Sequence, residues 1–223
     1  METLLDLILP RECGGCGRPG TRWCAACRAD LAADPIVLRP RVEVGAPCWA
    51  LGAYSGARRH SVVAAKERGR RDLAQPLGEA VAGFVRSLRR QGEIDPWQLS
   101  PLTLVPAPSR RSAARRRGGD PVERLCRGAA LALLPEKVLV APVVGVDRTV
   151  RDSVGLSARA RQANLAGNVR VRIPADAASR LRQSTTIVVD DVMTTGTTAS
   201  ETVRALASHG VVVDVVVVVA SVL

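Results

Sequence analysis

The sequence predicts an α/β protein in which a mainly parallel central sheet is flanked by helices on both faces. Thr185–Val189 and Val211–Val219 are almost continuous runs of Val, Ile and Thr, which is typical of parallel strands buried on both faces. Between them, Ala199–Ser208 has helical spacing and Gly210 follows as a helix terminator, so the three segments form a βαβ unit. Hydrophobic residues make up 47% of the 223 residues but aromatic residues only 2%, so the expected core is aliphatic.

The segments before this unit supply further strands and helices. Asp120 and Pro121 suit the N-cap and first position of a helix that runs to about Leu134. Leu102–Val105 is a short apolar run that Pro106 ends, which favours a buried strand leading into a loop. The other predicted elements are strands at Trp49–Tyr54, Val138–Val146 and Val169–Ile173 and helices at Ser61–Lys66 and Leu73–Arg90.

Four of the six cysteines lie close together near the N-terminus as two Cys-x-x-Cys pairs. Two such pairs at short separation predict a tetrahedral zinc site, in which each pair forms one knuckle around the metal. The pattern contains no His or Asp that could hold an open coordination position, so we expect structural rather than catalytic zinc; an iron–sulfur cluster is the alternative. The predicted ligands are Cys13, Cys16, Cys24 and Cys27.

The cysteine cluster and a Pro-containing linker precede the main domain. We expect a zinc-binding segment with its linker at 1–47 and the main domain at 48–223. Cys48 and Cys126 have no partner at metal-binding spacing and are expected to be core residues.

Net charge and apolar patterning limit the partners and the location. A net charge of +11 and a pI near 10.7 attract polyanions, whether phosphorylated metabolites, nucleic acid or an anionic membrane surface. The opening Met1–Pro10 lacks a basic leader, so a cytoplasmic location is expected. Val211–Leu223 contains Asp214 and is shorter than the ~20 residues that a membrane-spanning helix needs, so no membrane span is expected.

The segment from Asp190 to Thr198 carries the clearest chemistry. Threonine hydroxyls, a glycine that permits close backbone approach and the start of a helix together can bind a phosphate group. Thr198 and Glu201 fit a capping box, which predicts the helix start beside this loop. Two adjacent carboxylates at a strand end, Asp190 and Asp191, would be costly to bury without donors or cations, and sugar hydroxyls or Mg²⁺ would relieve that cost. A capping loop whose acids face solvent is the alternative, but the ordered combination favours phosphate binding.

The run Val188–Thr198 resembles the phosphoribosyl-pyrophosphate motif of type I phosphoribosyltransferases. By this resemblance Asp190 and Asp191 hold the ribose hydroxyls, and Mg²⁺ accompanies the pyrophosphate. The family displaces pyrophosphate from the anomeric carbon with a nucleophile, usually a ring nitrogen. The 5′-phosphate is held, by the same resemblance, by Thr194, Thr195, Gly196, Thr197 and Thr198.

One position departs from the purine-salvage members of that family. They carry an acidic residue where this chain has Thr194, and they use it as a proton acceptor near the base. Purine salvage is therefore disfavoured, and the acceptor of the phosphoribosyl group stays open.

The four-cysteine segment followed by this motif resembles the ComF family of bacterial competence proteins. Further matches are Tyr54-Ser55-Gly56 with Lys66, the Val105–Pro108 run, and Gly155-Leu156-Ser157 with Arg161 and Asn164. The family's R-G-F-N-Q segment is only partly kept at Arg117–Asp120, and the Gln expected before Gly155 is absent. The resemblance implies a type I phosphoribosyltransferase fold and a pyrophosphate loop, for which the expected residues are Lys66, Pro106, Ala107, Arg110, Arg115, Arg116 and Arg117.

Two functions compete at this point. The first is a phosphoribosyltransferase that binds phosphoribosyl pyrophosphate with Mg²⁺ and transfers the sugar to an unknown acceptor. The second is a non-catalytic ComF-type protein that senses a ligand or binds single-stranded DNA during DNA uptake. The charge of +11 suits the second, although stacking aromatics are scarce.

Overall fold

The computed structural model describes residues 12–32, 35–109, 119–146 and 168–222. These residues form an α/β fold with a mixed, mostly parallel central sheet and helices on both faces, as the sequence predicts. The helices are α1 (Ala25–Leu31), α2 (Gly56–Glu67), α3 (Ala74–Gln91), α4 (Pro121–Ala132), α5 (Ala175–Arg182) and α6 (Thr197–Ala207), with a 3-10 turn at Arg71–Leu73. The strands are β1 (Ile36–Leu38), β2 (Cys48–Ala50), β3 (Leu102–Pro106), β4 (Val138–Val140), β5 (Val144–Val146), β6 (Val169–Val171), β7 (Thr185–Met193) and β8 (Val215–Ser221).

The central sheet has six strands in the order β1-β2-β8-β7-β3-β4. β1 runs antiparallel to β2, and every other neighbouring pair is parallel. β5 and β6 form a separate antiparallel pair. The predicted βαβ unit is therefore confirmed as β7-α6-β8, with its two strands side by side in the middle of the sheet.

Aliphatic side chains fill the core on both faces of the sheet. Along β7, Ile187 and Val189 pack with α2, α3 and α4 on one face, whereas Val188 packs with α5 and α6 on the other. All seven positions of β8 are buried, because the strand lies in the sheet interior beneath helices on both sides.

The run Val138–Val146, predicted as one strand, is two strands in different sheets. Pro142 lies between them and has no N–H to donate to a ladder, so the chain turns there, with Val143 N donating to Ala141 O at 2.8 Å. The last predicted strand also starts later, at Val215, because Asp214 instead accepts a hydrogen bond from Thr186 N at 2.8 Å.

The helix predicted from Asp120 and Pro121 is confirmed. The Asp120 carboxylate accepts hydrogen bonds from the backbone of Val122 and Glu123, and Pro121 occupies the first helical position. The helix predicted at Leu73–Arg90 is α3, which Gly92 ends in a left-handed conformation.

The linker contributes to the main sheet, since β1 pairs with β2 as an edge strand. The division of the chain at 47/48 stays a prediction. Within the described part of the chain, none of the helices combines the length and the apolar character needed to cross a membrane.

Candidate functional site

The two adjacent aspartates lie inside β7 and not in the loop after it. β7 continues to Met193, with Asp190 opposite Val218 and Met193 opposite Ser221 of β8. The loop predicted to begin at Asp190 is therefore shorter and comprises 194–196. Val189 and Val192 both pack against the same core although they are three positions apart, so strict strand alternation breaks at the acid pair.

This end of β7 is a point where the chain diverges to the two sides of the sheet. After β3 the chain continues through α4 to β4 on one side, and after β7 it continues through α6 to β8 on the other. Parallel sheets form a crevice for ligands outside the carboxyl ends of two such strands. Pro106 lies opposite Val189, and Ala107 N donates to Val189 O at 2.8 Å, so the turn predicted to contact pyrophosphate lies beside the acid pair.

Lys66, from the last turn of α2, reaches the acid pair. Its Nζ lies 2.9 Å from Asp191 Oδ2 and 3.2 Å from Asp191 Oδ1. The neighbouring Asp190 accepts a hydrogen bond from Asp191 N at 2.8 Å through its own Oδ1. The structure therefore brings together three of the predicted site residues from two distant parts of the chain.

The electrostatics of Asp190 differ from those of an ordinary surface carboxylate. Burial, followed by repulsion from the Asp191 carboxylate, raises its pKa from 3.8 to about 7, against the opposing effect of Lys66. A carboxyl group in this position gains from any ligand that brings hydrogen-bond donors or a cation.

The predicted phosphate loop leads directly into α6. Gly196 is the N-cap of that helix with a φ of +89°, a conformation that favours glycine. Thr194 is exposed, and the Thr195 and Thr197 hydroxyls are 2.9 Å apart. Thr197 N donates to the Thr195 hydroxyl at 3.4 Å, and the N-cap glycine itself has no side chain to cap α6, in contrast to Asp120 on α4. The first amides of α6 are thus the kind of donors that bind phosphate oxygens.

The capping box predicted from Thr198 and Glu201 is wrong. α6 begins at Thr197, so Thr198 is already helical, and its carbonyl accepts a hydrogen bond from the Thr202 hydroxyl at 2.7 Å. The glycine N-cap moves the helix start toward the strand, which leaves Glu201 to pair with Arg204.

Residues of the linker contact the predicted phosphate loop and the start of α6, and no local sequence pattern indicates these contacts. Val42 N donates to Thr195 O at 3.1 Å, and the Ser200 hydroxyl donates to Glu43 O at 2.7 Å. A Cβ on Gly196 would lie 2.6 Å from the Cβ of Pro40. We call Pro40–Val44 the clamp segment.

Several predicted residues of the pyrophosphate loop and of the ComF resemblance lie outside the described residues. They are Arg110, Arg115, Arg116, Arg117, Gly155, Leu156, Ser157, Arg161 and Asn164.

The four N-terminal cysteines form a cluster that could hold a metal ion such as zinc. Their sulfur atoms all lie within 4.8 Å of one another, with Cys13 to Cys27 at 3.6 Å and Cys16 to Cys24 at 3.7 Å. Zinc–sulfur bonds of ~2.3 Å in a tetrahedron separate sulfur atoms by about 3.8 Å, so the donor set and its spacing fit this metal. Within the described part of the chain, no other group of three or more such side chains is clustered in this way.

Hydrogen bonds from backbone amides stabilise the thiolate form of one cysteine in the cluster. Burial raises the pKa of Cys13, but hydrogen bonds from the backbone of Cys16, Cys24 and Gly15 outweigh it and lower that pKa to about 6. Burial and the neighbouring thiols instead raise the pKa of Cys27. A metal binds the thiolate form, so the lowered pKa of Cys13 favours metal binding, and a bound metal would offset the raised pKa of Cys27. Cys126, by contrast, is fully buried in the main core, and burial raises the pKa of its thiol.

The cysteine cluster packs against α2, the helix that carries Lys66. His60 Nδ1 lies 3.0 Å from Gly15 O, and Arg58 contacts both the Asp30 side chain at 3.2 Å and Leu51 O at 3.0 Å. α2 therefore touches the cluster near its start and the acid pair near its end.

The region at the carboxyl ends of β3 and β7 thus combines an acid pair, a lysine, a glycine-capped helix start and threonine hydroxyls.

A search of protein-family models finds no match to this chain, and neither does a search of curated proteins.

Proposed function

We propose that this chain is a ComF-type protein with a type I phosphoribosyltransferase fold, and that it binds phosphoribosyl pyrophosphate with Mg²⁺ at the edge between β3 and β7. The observation that carries the proposal is the position of the acid pair. Asp190 and Asp191 lie near the carboxyl end of β7, where the chain diverges, two residues before the loop that leads into α6.

Asp190 and Asp191 accept hydrogen bonds from the ribose hydroxyls in this proposal. The raised pKa of Asp190 supports it, because hydroxyl donors would favour the ionised carboxylate that burial disfavours. Lys66 balances the charge of Asp191 and so keeps two adjacent carboxylates compatible with an anionic ligand.

The 5′-phosphate binds at Thr194–Thr198. The helix start with a glycine N-cap and the hydroxyls of Thr195 and Thr197 support this assignment, since backbone amides and hydroxyls both donate to phosphate oxygens. The positive φ of Gly196 lets the backbone curve around the group without a Cβ in the way.

The pyrophosphate and its Mg²⁺ lie toward the turn at Pro106 and Ala107. The diphosphate supplies most of the oxygen ligands that Mg²⁺ prefers, so the protein need not provide a complete set of ligands for the ion. Arg110, Arg115, Arg116 and Arg117 follow this turn in the sequence and are proposed to neutralise the leaving group.

The proposed reaction breaks the bond between the anomeric carbon and the pyrophosphate oxygen. A nucleophile on the acceptor forms the new bond to that carbon, and pyrophosphate leaves with the bonding electrons. Most of the rate enhancement in such reactions comes from positioning the reactants and from stabilising the charge that develops in the transition state. Thr194 offers no carboxylate at the purine-salvage position, so an acceptor that needs no strong base there fits best.

Pyrophosphate release tests the proposed reaction. Wild-type protein is incubated with phosphoribosyl pyrophosphate, Mg²⁺ and a panel of nucleobases, amines and ammonia, and compared with the Asp190→Ala/Asp191→Ala variant. We expect acceptor-dependent release from the wild type only. Tight ligand binding without turnover on any acceptor would contradict the transferase reaction but not the binding site.

The charge of +11 favours single-stranded DNA binding as a second candidate function. Of the five aromatic side chains, Trp49 and Phe84 pack against each other with ring centres 5.5 Å apart, so both are engaged in the core. Trp97 is 48% exposed and remains accessible for stacking on a base.

Salt titration tests this second function. Single-stranded DNA affinity should fall steeply with salt and should weaken when Arg115, Arg116 and Arg117 are replaced. Affinity that responds to neither change would count against a DNA role.

A further inference from the structure

The clamp segment makes three contacts with the predicted phosphate loop and the start of α6, although about 150 residues of chain separate them. Val42 N donates to Thr195 O, the Ser200 hydroxyl donates to Glu43 O, and Pro40 fills the space beside Gly196. These contacts join the linker after the cysteine cluster to the start of α6.

Both ends of the clamp segment are anchored in the main domain. Leu38, at the end of β1, and Val44 are buried in the core that α5 and α6 cover. Cys48 then begins β2, which pairs with β8. The position of the clamp segment is therefore set by the sheet and not by the loop that it contacts.

The hydrogen bond from Val42 fixes the orientation of one peptide plane in the loop. In a trans peptide the C=O of one residue and the N–H of the next point in opposite directions. Because Thr195 O points to the clamp segment, Gly196 N–H points away from it. Gly196 is the N-cap of α6, so this N–H lies directly before the first amides of the helix.

We propose that the clamp segment is a positioning element of the phosphate site, which holds the Thr195–Gly196 peptide with its N–H toward the ligand's phosphate. The assignment of that phosphate rests on the proposed function. Val42 and Ser200 do not touch the ligand; they act through the backbone of the loop. The linker between the cysteine cluster and the main domain then contributes to the binding site without touching the ligand.

Two variants remove separate contacts of the clamp segment. Val42→Pro removes the N–H that Thr195 O accepts, and Ser200→Ala removes the hydroxyl that donates to Glu43 O, with Ser200→Thr as the conservative rescue. Ser208→Ala is the matched control, because this serine lies just after the same helix and its hydroxyl contacts only Ala205 O and His209 Nδ1 among the described residues.

Amide hydrogen exchange of the loop in the ligand-free protein is the first readout, and affinity for phosphoribosyl pyrophosphate with Mg²⁺ is the second. We expect faster exchange at 195–199 in both clamp variants, normal exchange in Ser200→Thr and Ser208→Ala, and an affinity loss of about two- to tenfold, the net effect of one hydrogen bond. If either clamp variant proves unfolded, the other supplies the test.

Unchanged exchange in a folded clamp variant would overturn the positioning role, whatever the protein binds. Absence of binding by the wild type would instead contradict the proposed function while the exchange measurement still decides the role of the clamp segment. The two failures are therefore distinguishable.

Discussion

Within the candidate site, the fold raises the pKa of Asp190. The groups that face it are Asp191 on the same strand, Lys66 on α2, and Asp120 and Cys126 at α4. Of these only Lys66 is a cation, so burial and the other groups dominate and its pKa lies near 7. A carboxyl group held in this way is partly protonated at neutral pH until a ligand or cation arrives.

The raised pKa of Asp190 predicts a pH dependence of stability in the ligand-free protein. The folded chain holds this proton more tightly than the unfolded chain, so the stabilisation is fully present below 3.8 and is lost as pH rises through about 7. Between about pH 5 and about pH 8 the wild type should lose on the order of 1–2 kcal/mol more unfolding free energy than Asp190→Asn. Urea unfolding at both pH values measures this difference. Equal losses in the two proteins would show that Asp190 titrates normally.

The ion pair between Lys66 and Asp191 predicts a measurable coupling. Lys66 is 42% exposed at its side chain, whereas Asp191 is only 14% exposed, so solvent screens the pair in part. A double-mutant cycle with Lys66→Met and Asp191→Asn should give a coupling of about 0.5–1 kcal/mol in unfolding free energy, reduced at high salt. Additive effects of the two substitutions would mean that the contact contributes nothing.

At the scale of elements, the junction of β7 and α6 depends on Gly196. A side chain there would require a φ of +89° and would meet Pro40 at 2.6 Å. Gly196→Ala should therefore cost about 1–3 kcal/mol of unfolding free energy and should weaken binding at the loop. Gly83→Ala is the matched control: it lies inside α3 with open space around it, so it should stabilise by about 0.5–1 kcal/mol. A neutral Gly196→Ala would contradict the loop geometry described here.

The elements that the sequence predicted well are those with strong local patterns. Asp120 and Pro121 mark the start of α4 correctly because capping depends on neighbouring residues alone. The parallel pairing of β7 with β8 was likewise predictable from their continuous apolar runs. The prediction that Thr198 caps α6 is wrong because the N-cap is Gly196, and a glycine has no side chain by which a cap could be recognised in the sequence.

The contacts that the sequence missed are long-range. Nothing local in Pro40–Val44 indicates that this segment meets a loop about 150 residues later, since the contact uses backbone groups of Val42 and Glu43. The ion pair of Lys66 with Asp191 was not predicted: the family resemblance implied only that Lys66 belongs to the pyrophosphate loop, and helical spacing does not show which strand end a lysine reaches. The roles assigned to Asp190 and to Thr194–Thr198 stay predictions.

At the scale of the whole molecule, the four-cysteine cluster should couple metal binding to stability. Chelation should release the metal and lower the melting temperature, because Leu73 and Ala57 of the main domain pack directly against Gly14 and Gly15 of the cluster. Cys16→Ser should lower metal content and stability together. Elemental analysis and thermal unfolding measure the two quantities on the same samples.

Cys126→Ala is the control for the metal prediction. Cys126 is fully buried in the main core, so its loss should lower stability through a small cavity and leave metal content unchanged. A full metal content in Cys16→Ser would contradict the four-ligand assignment.

Binding of phosphoribosyl pyrophosphate tests the central claim most directly. Calorimetric titration with Mg²⁺ should give saturable, Mg²⁺-dependent binding to the wild type and affinity at least about tenfold weaker for Asp190→Asn/Asp191→Asn, since charge-assisted hydrogen bonds are lost. The control Glu67→Gln/Glu93→Gln removes the same charge from two exposed positions and should bind like the wild type. No binding by the wild type, or equal affinity in the Asp190→Asn/Asp191→Asn variant, would contradict the proposed site.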